Sequence, residues 1–289
     1  MMKSLVNKVA GLFGFKITRI SKLTPSLTGY DNFPTSSLRK KKFYNIGSGL
    51  FYHPYWTNID HESEHYSPSQ KHPFINYDLM KQEPLPIESS TAEIVYSSHT
   101  IEHVNDEAIR NMLVESHRIL KPGGCIRLTA PDLALDYRAY MNGDLHFWYW
   151  RDNYSRPGKW EHIYKIPLMK ASIEQLFLLH FAGQLSMLSV DDSPEKKYSD
   201  EEISDIFSKH SMEDAMAFFT RQCKFNPDYP GNHMNYWTHN KLIAFLHEAG
   251  FSEIYKSGFG QSQFAPLRDT NYFDNTHPKI SLYVEAVKS

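Results

Sequence analysis

Residues 41–49 read KKFYNIGSG, in which a short apolar run leads directly into a turn that contains Gly47 and Gly49. A run of this length before a glycine turn is typical of a buried strand in an α/β protein. Glycine has no side chain, so the backbone of such a turn can come close to a ligand. The stretch therefore predicts a first strand, Phe43–Ile46, and a ligand-binding turn at its carboxyl end.

The segments that follow alternate between strand and helix patterns. Strands are predicted in four of them, namely YWTNID, which ends at Asp60, PFINYDL, which ends near Asp78, TAEIVYSS at 91–98 and CIRLTAPD at 125–132. Asn105 is suited to cap a helix whose first turn holds Asp106 and Glu107. The KPGG stretch ends that helix, because Gly123 and Gly124 adopt conformations that other residues resist.

The alternation resumes near the C-terminus, with a helix in THNKLIAFLHEAGF (238–251), a strand in SEIYKSGF (252–259) and a final strand in SLYVEAVK (281–288). Alternating strands and helices predict a doubly wound, mostly parallel α/β sheet of seven strands. A helical, aromatic-rich insertion separates the fifth strand from the last helix. The predicted organisation is a leader and linker over 1–40, a sheet domain over 41–132 and 234–289, and a lid over 133–233.

Aromatic side chains are concentrated in the first half of this insertion, at Phe147, Trp148, Tyr149, Trp150, Tyr154 and Trp160. They could stack on sugar rings or on another flat acceptor. They could equally form a small core that belongs to the insertion itself. The sequence leaves both interpretations open.

The bulk composition narrows the function. The 289 residues carry a formal net charge of −2, so the chain lacks the positive field that favours nucleic acid as a partner. Its two cysteines, Cys125 and Cys223, fit a reducing cytoplasm and exclude a disulfide framework. No apolar run approaches the roughly 18 residues of a membrane span. Residues 1–22 are basic and amphipathic, which suits either peripheral contact with the inner face of a membrane or packing on the domain.

The glycine turn does not fit a dinucleotide. A nicotinamide-binding turn needs a third glycine, which opens a helix that binds pyrophosphate. This sequence continues GLFYHPYW instead, and only 13 positions separate Gly47 from Asp60. Dinucleotide binding is therefore disfavoured.

Taken together, NIGSG, NID, YDL, PLPIESSTAEIVYSSHTIEHV and RILKPGGCIRLTAPD resemble the class I S-adenosylmethionine-dependent methyltransferases. The resemblance is closest to a bacterial group associated with surface-polysaccharide biosynthesis, and it covers residues 42–132 and 234–288. It implies a Rossmann-like methyltransferase fold, S-adenosylmethionine as the cofactor, and a small-molecule or glycan acceptor.

The same resemblance implies a set of cofactor-binding residues. Asp60 would accept hydrogen bonds from the two ribose hydroxyls, and Asp78 would face the adenine amino group unless it is only a turn aspartate. Asn45 stands where many members have an acid, so the usual contact with the amino group of the cofactor is open. The full set is Asn45, Gly47, Ser48, Gly49, Asp60, Asp78, Leu79, Ser97 and Ser98.

The stretch SSHTIEHV (97–104) contains His99, Glu102 and His103 and admits three interpretations. H-x-x-E-H is a zinc-peptidase pattern, but that pattern belongs within a long helix, whereas this stretch follows a strand. The pair EH is widespread in class I methyltransferases, where it can simply fix a turn. Some related O-methyltransferases bind a divalent metal through E-x-x-E-H, and the nitrogen-richer set here suits Mg²⁺ less. The sequence assigns no metal ligands.

Methyl transfer is an in-line displacement at a sulfonium, so it needs alignment and, for a hydroxyl acceptor, a general base. A neutral histidine suits that task at pH 7. His99 is the first candidate, Asp132 the second, and His103 completes the predicted catalytic residues. A looser third group, at the return from the insertion, consists of His233, Tyr236 and His239.

The sequence thus predicts a cytoplasmic S-adenosylmethionine-dependent methyltransferase that methylates an oxygen of a sugar or glycan precursor. Two other classes stay open. One is a cofactor-binding but catalytically degenerate partner protein, which stays open because Asn45 stands where many members have an acid. The other is a metal-dependent hydrolase that uses the H-x-x-E-H motif. The sequence does not give the oligomeric state.

Overall fold

The computed structural model describes residues 27–62, 70–158, 160–193 and 196–289. Its centre is a seven-stranded sheet of order β3-β2-β1-β4-β5-β7-β6. The strands are β1 (Phe43–Ile46), β2 (Trp56–Asp60), β3 (Phe74–Asn76), β4 (Ala92–Ser98), β5 (Leu120–Pro131), β6 (Glu253–Lys256) and β7 (Ser281–Val287). The first five pair in parallel, and β7 is antiparallel to β5 and β6. The predicted doubly wound, mostly parallel sheet is therefore confirmed.

Eight α-helices lie in the described part of the chain, and they are α1 (Thr35–Arg39), α2 (Asp106–Ile119), α3 (Leu133–Met141), α4 (Arg151–Tyr154), α5 (Ile173–Leu179), α6 (Asp200–Lys209), α7 (Met212–Thr220) and α8 (His239–Glu248). Asn105 caps α2 as predicted, because its side chain accepts a hydrogen bond from the Ala108 N–H. None of the helices in these described ranges combines the length and the hydrophobicity that a membrane span needs.

Two element boundaries differ from the predictions. β3 ends at Asn76 rather than near Asp78, because the Asp78 side chain accepts a hydrogen bond from the Met80 N–H and starts a short 3₁₀ turn. α2 ends before KPGG, which lies within β5. Gly123 adopts the predicted left-handed conformation with φ +77°, whereas Gly124 is limited by space, since a Cβ there would lie 2.9 Å from the Lys121 carbonyl oxygen.

The described part of the predicted linker, residues 27–40, packs onto the sheet. Its 3₁₀ turn and α1 lead into β1, and Tyr30 is buried. The Tyr30 ring lies 5.3 Å from the Phe43 ring, and its hydroxyl accepts a hydrogen bond from the Trp56 indole N–H at 2.7 Å. A buried tyrosine with a satisfied hydroxyl anchors this segment. The predicted amphipathic leader, residues 1–22, lies outside the described residues.

The insertion has a hydrophobic core of its own, separate from the core between the sheet, α2 and α8. Trp148 is fully buried in it, and its indole N–H donates to the Asp136 carboxylate at 2.8 Å. Trp150 is also buried there, and Phe147 and Tyr154 pack against the cluster. Phe147 and Trp148 thus stabilise the insertion itself, as in the second of the two interpretations, whereas Trp150 and Tyr154 also line a cavity, so the first interpretation stays open for them.

Candidate active site

The strand order reverses between β1 and β4, and such a switch point is where open α/β sheets bind ligands. A cleft of about 230 Å³ lies there, at the carboxyl ends of the strands. The predicted residues that line it are Gly47, Gly49, Asp60, Asp78, Leu79, His99 and His103. Neither lysine nor arginine occurs among the described residues of its lining. The cleft therefore lacks the cations that normally bind a phosphate.

The glycine turn after β1 is closely packed. Gly47 has φ +70°, and a Cβ atom there would lie 2.1 Å from the Thr100 hydroxyl oxygen. The Gly47 N–H donates to the Ile59 carbonyl at 2.9 Å, which fixes the turn to the end of β2. Glycine is required at this position both for its conformation and for the space that Thr100 occupies.

Asp60, at the end of β2, faces this turn. Its Oδ2 accepts a hydrogen bond from the Gly49 N–H at 2.7 Å and lies 3.3 Å from the Ser48 hydroxyl. Its Oδ1 accepts from the His61 N–H at 2.8 Å. The carboxylate is thus held in one orientation in the wall of the cleft.

Asp78 combines the two roles that the sequence left as alternatives. Its Oδ1 accepts a hydrogen bond from the Met80 N–H at 2.9 Å, which makes it a turn aspartate. It also lines the cleft together with Leu79.

The remaining predicted cofactor-binding residues do not line this cleft. Asn45, Ser48 and Ser98 line a neighbouring cavity. This cavity and the cleft share the glycine turn and His99 in their walls. Ser97 is buried and lies outside the lining of both cavities. The structure therefore divides the predicted set between two adjacent cavities.

The H-x-x-E-H stretch does not form one helix. His99 follows β4 with φ +51°, and the next residues form a 3₁₀ turn, Ile101–His103. This geometry differs from the long helix of a zinc peptidase and disfavours the hydrolase interpretation. Both nitrogens of His99 have partners, since Nδ1 lies 3.1 Å from Glu102 Oε1 and Nε2 lies 2.7 Å from the Ser281 hydroxyl oxygen.

Glu102 is completely buried beside His99. Burial alone would raise the pKa of this carboxyl, but the contact with His99 and the charges of the neighbouring imidazoles lower it to about 2. Glu102 is therefore a buried carboxylate that lies against the imidazole rings of His99 and His103.

A second cavity of about 480 Å³, here called the chamber, lies between the sheet and the insertion. It shares His99 and His103 with the cleft, so the two spaces adjoin at these side chains. Its volume lies within the range of about 300–1,000 Å³ that is usual for small-molecule sites. Its histidine, tyrosine and tryptophan lining residues are His99, His103, His162, His180, His233, His277, Tyr154, Tyr164, Tyr229 and Trp150.

Burial keeps two of the chamber histidines neutral at pH 7. It lowers the pKa of His277 to about 4 and that of His233 well below its usual value. As in the cleft, neither lysine nor arginine occurs among the described lining residues of the chamber. The chamber thus suits a neutral ligand that forms hydrogen bonds and stacking contacts.

Asp132, the second predicted base, lies outside the lining of both spaces. Its side chain caps α3 by accepting a hydrogen bond from the Ala134 N–H at 3.0 Å, and its Oδ2 lies 3.9 Å from His239 Nδ1. Burial raises the pKa of Asp132 and lowers that of His239. The predicted third group is dispersed, because His233 lines the chamber while Tyr236 lines a different cavity.

The sequence missed part of the cleft. Tyr77, Met80, Thr100 and Val104 follow the ends of strands β3 and β4 and line the cleft beside the predicted residues. Met80, Thr100 and Val104 come just after predicted strands, which was an available signal, whereas Tyr77 lies within the predicted third strand. Phe225 and Pro230 come from the insertion, where no local pattern marked them.

Comparison with known proteins supports the same domain. Residues 54–128 match a family model described as a methyltransferase domain, from just before β2 into β5. No curated protein matches the sequence.

Solved structures give only remote similarity. An S-adenosylmethionine-dependent methyltransferase from Thermotoga maritima is 12% identical with a TM-score of 0.39, covering 86% of this chain and 82% of that one. One from Mesorhizobium loti is 14% identical with a TM-score of 0.39, covering 85% and 90%. Human N-acetylserotonin methyltransferase, in complex with its cofactor, is 13% identical with a TM-score of 0.38, covering 91% and 50%. TM-scores this low do not support a shared function. The methyltransferase fold is therefore assigned from the strand order and from the match over residues 54–128.

The sheet is the mostly parallel, seven-stranded sheet predicted from the sequence, and the cleft lies at the glycine turn where a ligand is expected. The family model matches the segment that supplies most of the cleft wall, including Asp60, Asp78 and His99, whereas Gly47 and Gly49 lie outside it. The chain therefore has a Rossmann-like methyltransferase fold in which residues 54–128 match a methyltransferase domain, and its cofactor is S-adenosylmethionine.

Proposed function

We propose that the protein transfers the methyl group of S-adenosylmethionine to an oxygen of a neutral acceptor, a sugar or glycan precursor. The observation that carries this proposal is the junction of the two spaces at His99 and His103. A cofactor in the cleft and an acceptor in the chamber would meet at these two side chains. In-line transfer needs such an approach, because the reacting atoms must be about 3–3.5 Å apart and aligned.

The cofactor would take its orientation from the walls of the cleft. Asp60 would accept the ribose hydroxyls with the lone pairs that the Gly49 and His61 N–H groups leave open. Asp78 and Leu79 would bind the adenine end, and the glycine turn would approach the methionine part. Asn45, Ser48 and Ser98 would reach the cofactor only where the neighbouring cavity meets the turn.

The absence of lysine and arginine from the described lining of both spaces argues for a neutral acceptor. An acceptor with a phosphate in the chamber would lack a lysine or arginine partner there. Hydroxyl groups would find imidazole, phenol and backbone partners, and sugar rings can stack on aromatic side chains. The association with surface-polysaccharide biosynthesis comes from the sequence resemblance, the cytoplasmic location from the two cysteines, and the selection of the acceptor by the insertion from its place beside the sheet.

His99 is the proposed general base. Glu102 lies beside Nδ1, so the neutral ring would carry its proton there and keep the basic lone pair on Nε2. That nitrogen lies 2.7 Å from the Ser281 hydroxyl, which can instead donate its proton to the His277 carbonyl oxygen at 2.8 Å, so an acceptor hydroxyl would have to replace Ser281 as the partner of Nε2. His103 lies in the same wall and is the second choice.

The experiment is transfer of radiolabelled methyl groups from S-adenosylmethionine into a cell-envelope extract that has been separated into neutral and anionic glycans. We expect label in the neutral fraction, on a product that resists the mild base that cleaves methyl esters. Label in the anionic fraction alone would contradict the acceptor class. Tight cofactor binding without any transfer would favour the catalytically degenerate alternative.

A further inference from the structure

Three side chains from distant parts of the sequence converge where the chamber meets the cleft. The metal-binding atoms that Glu102, His103 and His233 offer all lie within 4.8 Å of one another. His233 comes from the return of the insertion, and the other two come from the turn after β4. From this cluster we propose that the three residues bind a divalent transition-metal ion, for which Zn²⁺ is the probe.

Glu102 provides an observation that points independently to a cation. The residue is completely buried, and its Oε2 has no hydrogen-bond partner among the described residues. A buried carboxylate oxygen without a donor is costly, because neither water nor protein replaces its lost hydration. A metal ion bound at this oxygen would remove that cost.

The hydrogen bonds of the two imidazoles select the tautomer that a metal requires. His233 Nδ1 lies 2.7 Å from the His180 carbonyl oxygen, and His103 Nδ1 lies 3.3 Å from the Asn232 carbonyl oxygen. A carbonyl oxygen can only accept, so each Nδ1 carries the proton and each Nε2 keeps its lone pair. Imidazoles that bind metals are commonly oriented in this way by a backbone carbonyl. His103 Nε2 lies 4.0 Å from Glu102 Oε1, so this lone pair belongs to the cluster.

Backbone hydrogen bonds hold the three ligands together in the fold. The Met234 and Asn235 N–H groups both donate to the Glu102 carbonyl, at 2.9 and 3.1 Å. The Gly183 N–H donates to the His233 carbonyl at 2.9 Å. The return of the insertion is thereby fastened to the turn after β4, which makes the convergence a property of the backbone.

The donor set favours a particular class of ion. Two imidazole nitrogens and one carboxylate form the ligand set of catalytic zinc sites and of non-haem iron sites, whereas Mg²⁺ prefers oxygen ligands. Three protein ligands leave coordination positions open, and His103 faces both the cleft and the chamber. If the proposed function is correct, an acceptor hydroxyl bound at such a position would lose its proton more easily.

The test is titration of the full chain with Zn²⁺ after removal of metal by a chelator, without cofactor or acceptor. We expect one equivalent to bind, and Glu102→Gln, His103→Gln and His233→Ala each to weaken binding at least about 100-fold. His162→Ala is the matched control, because His162 lines the chamber outside the cluster, and it should bind Zn²⁺ like the unmodified protein.

Unchanged Zn²⁺ affinity in a folded Glu102→Gln protein would overturn the proposal, and so would an equal loss in His162→Ala. His103→Gln is included because the His103 side chain is partly exposed, so this variant should still fold. Circular dichroism would verify its fold. A Co²⁺-substituted protein should also show a visible d–d band that His103→Gln abolishes. The Zn²⁺ titration does not use the cofactor. Metal binding without methyl transfer would therefore support the metal site and contradict only the proposed function.

Discussion

Gly47 and Thr100 are in direct contact across the candidate cleft, with room for a glycine and for nothing larger. A Cβ atom on Gly47 would lie 2.1 Å from the Thr100 hydroxyl oxygen and 2.4 Å from its methyl carbon. The contact joins the turn after β1 to the exit of β4, which are the two elements on either side of the switch point. The shape of the cleft therefore depends on glycine, which has no side chain, at position 47.

Gly47→Ala should deform the cleft. We expect the affinity for S-adenosylhomocysteine, measured by calorimetry, to fall at least about tenfold, because Thr100 must move. The matched control is Gly123→Ala, where φ is a similar +77° but no atom of the described residues lies within 4 Å of the new Cβ. In that variant the only expected effect is the strain of alanine in the left-handed conformation, which should lower the free energy of unfolding by about 1–2 kcal/mol. Equal affinities in the two variants would contradict the account.

Much of the site could be predicted because its signals are local. The ends of β1 and β2, the glycine turn and the cap at Asn105 depend on neighbouring residues, and they occur where the sequence predicts them. Asp132 shows the limit of this reasoning. A residue at a strand exit can face the cleft or cap the next helix, and its backbone neighbours do not reveal which; here it caps α3.

Contacts between distant segments could not be predicted. Nothing near His233 indicates that Glu102 lies beside it, since the two meet only when the insertion folds back onto the sheet. The same holds for Phe225 and Pro230 in the wall of the cleft. Trp148 is a related case, because stacking on a ligand and packing in a core require the same aromatic side chain.

His99→Asn tests the proposed base. Asparagine tolerates the left-handed backbone at this position, where φ is +51°, so the variant should fold. We expect kcat for the acceptor found in the transfer assay to fall about 10²- to 10⁴-fold, with unchanged affinity for S-adenosylhomocysteine. An unaltered kcat would remove His99 from the mechanism and favour His103.

Arg127 should be essential for stability. It is fully buried in β5, with Nη2 at 2.5 Å from Asp274 Oδ2 and Nη1 at 2.7 Å from Glu285 Oε1. Arg127→Met leaves two buried carboxylates unpaired, so urea unfolding should show a loss of about 3–5 kcal/mol. Lys209→Met, which breaks the exposed pair with Asp205, should cost less than about 1 kcal/mol. A small loss in the first variant would show that the network is not a stabilising element.

His53 should make stability depend on pH. It is buried among aromatic rings, its Nδ1 accepts a hydrogen bond from the Tyr55 N–H, and burial lowers its pKa to about 4. The unfolded chain, with a pKa of about 6.5, binds the proton more readily, so this contribution to stability falls as pH drops from about 6.5 to 4. From pH 7 to pH 5, the free energy of unfolding measured in urea should fall by about 1–2 kcal/mol less in His53→Phe than in the unmodified protein. An identical pH dependence would contradict the burial argument.

The central claim is that Asp60 binds the ribose of S-adenosylmethionine, and calorimetric titration with S-adenosylhomocysteine tests it most directly. We predict that the unmodified protein binds and that Asp60→Ala raises Kd about 10- to 100-fold, since hydrogen bonds to a charged group contribute about 1.5–3 kcal/mol each. Asp60→Asn, which keeps an acceptor for the Gly49 N–H, should also bind more weakly, whereas the exposed Asp152→Ala should not change Kd. No binding by the unmodified protein, or equal Kd values for all four folded proteins, would contradict the account.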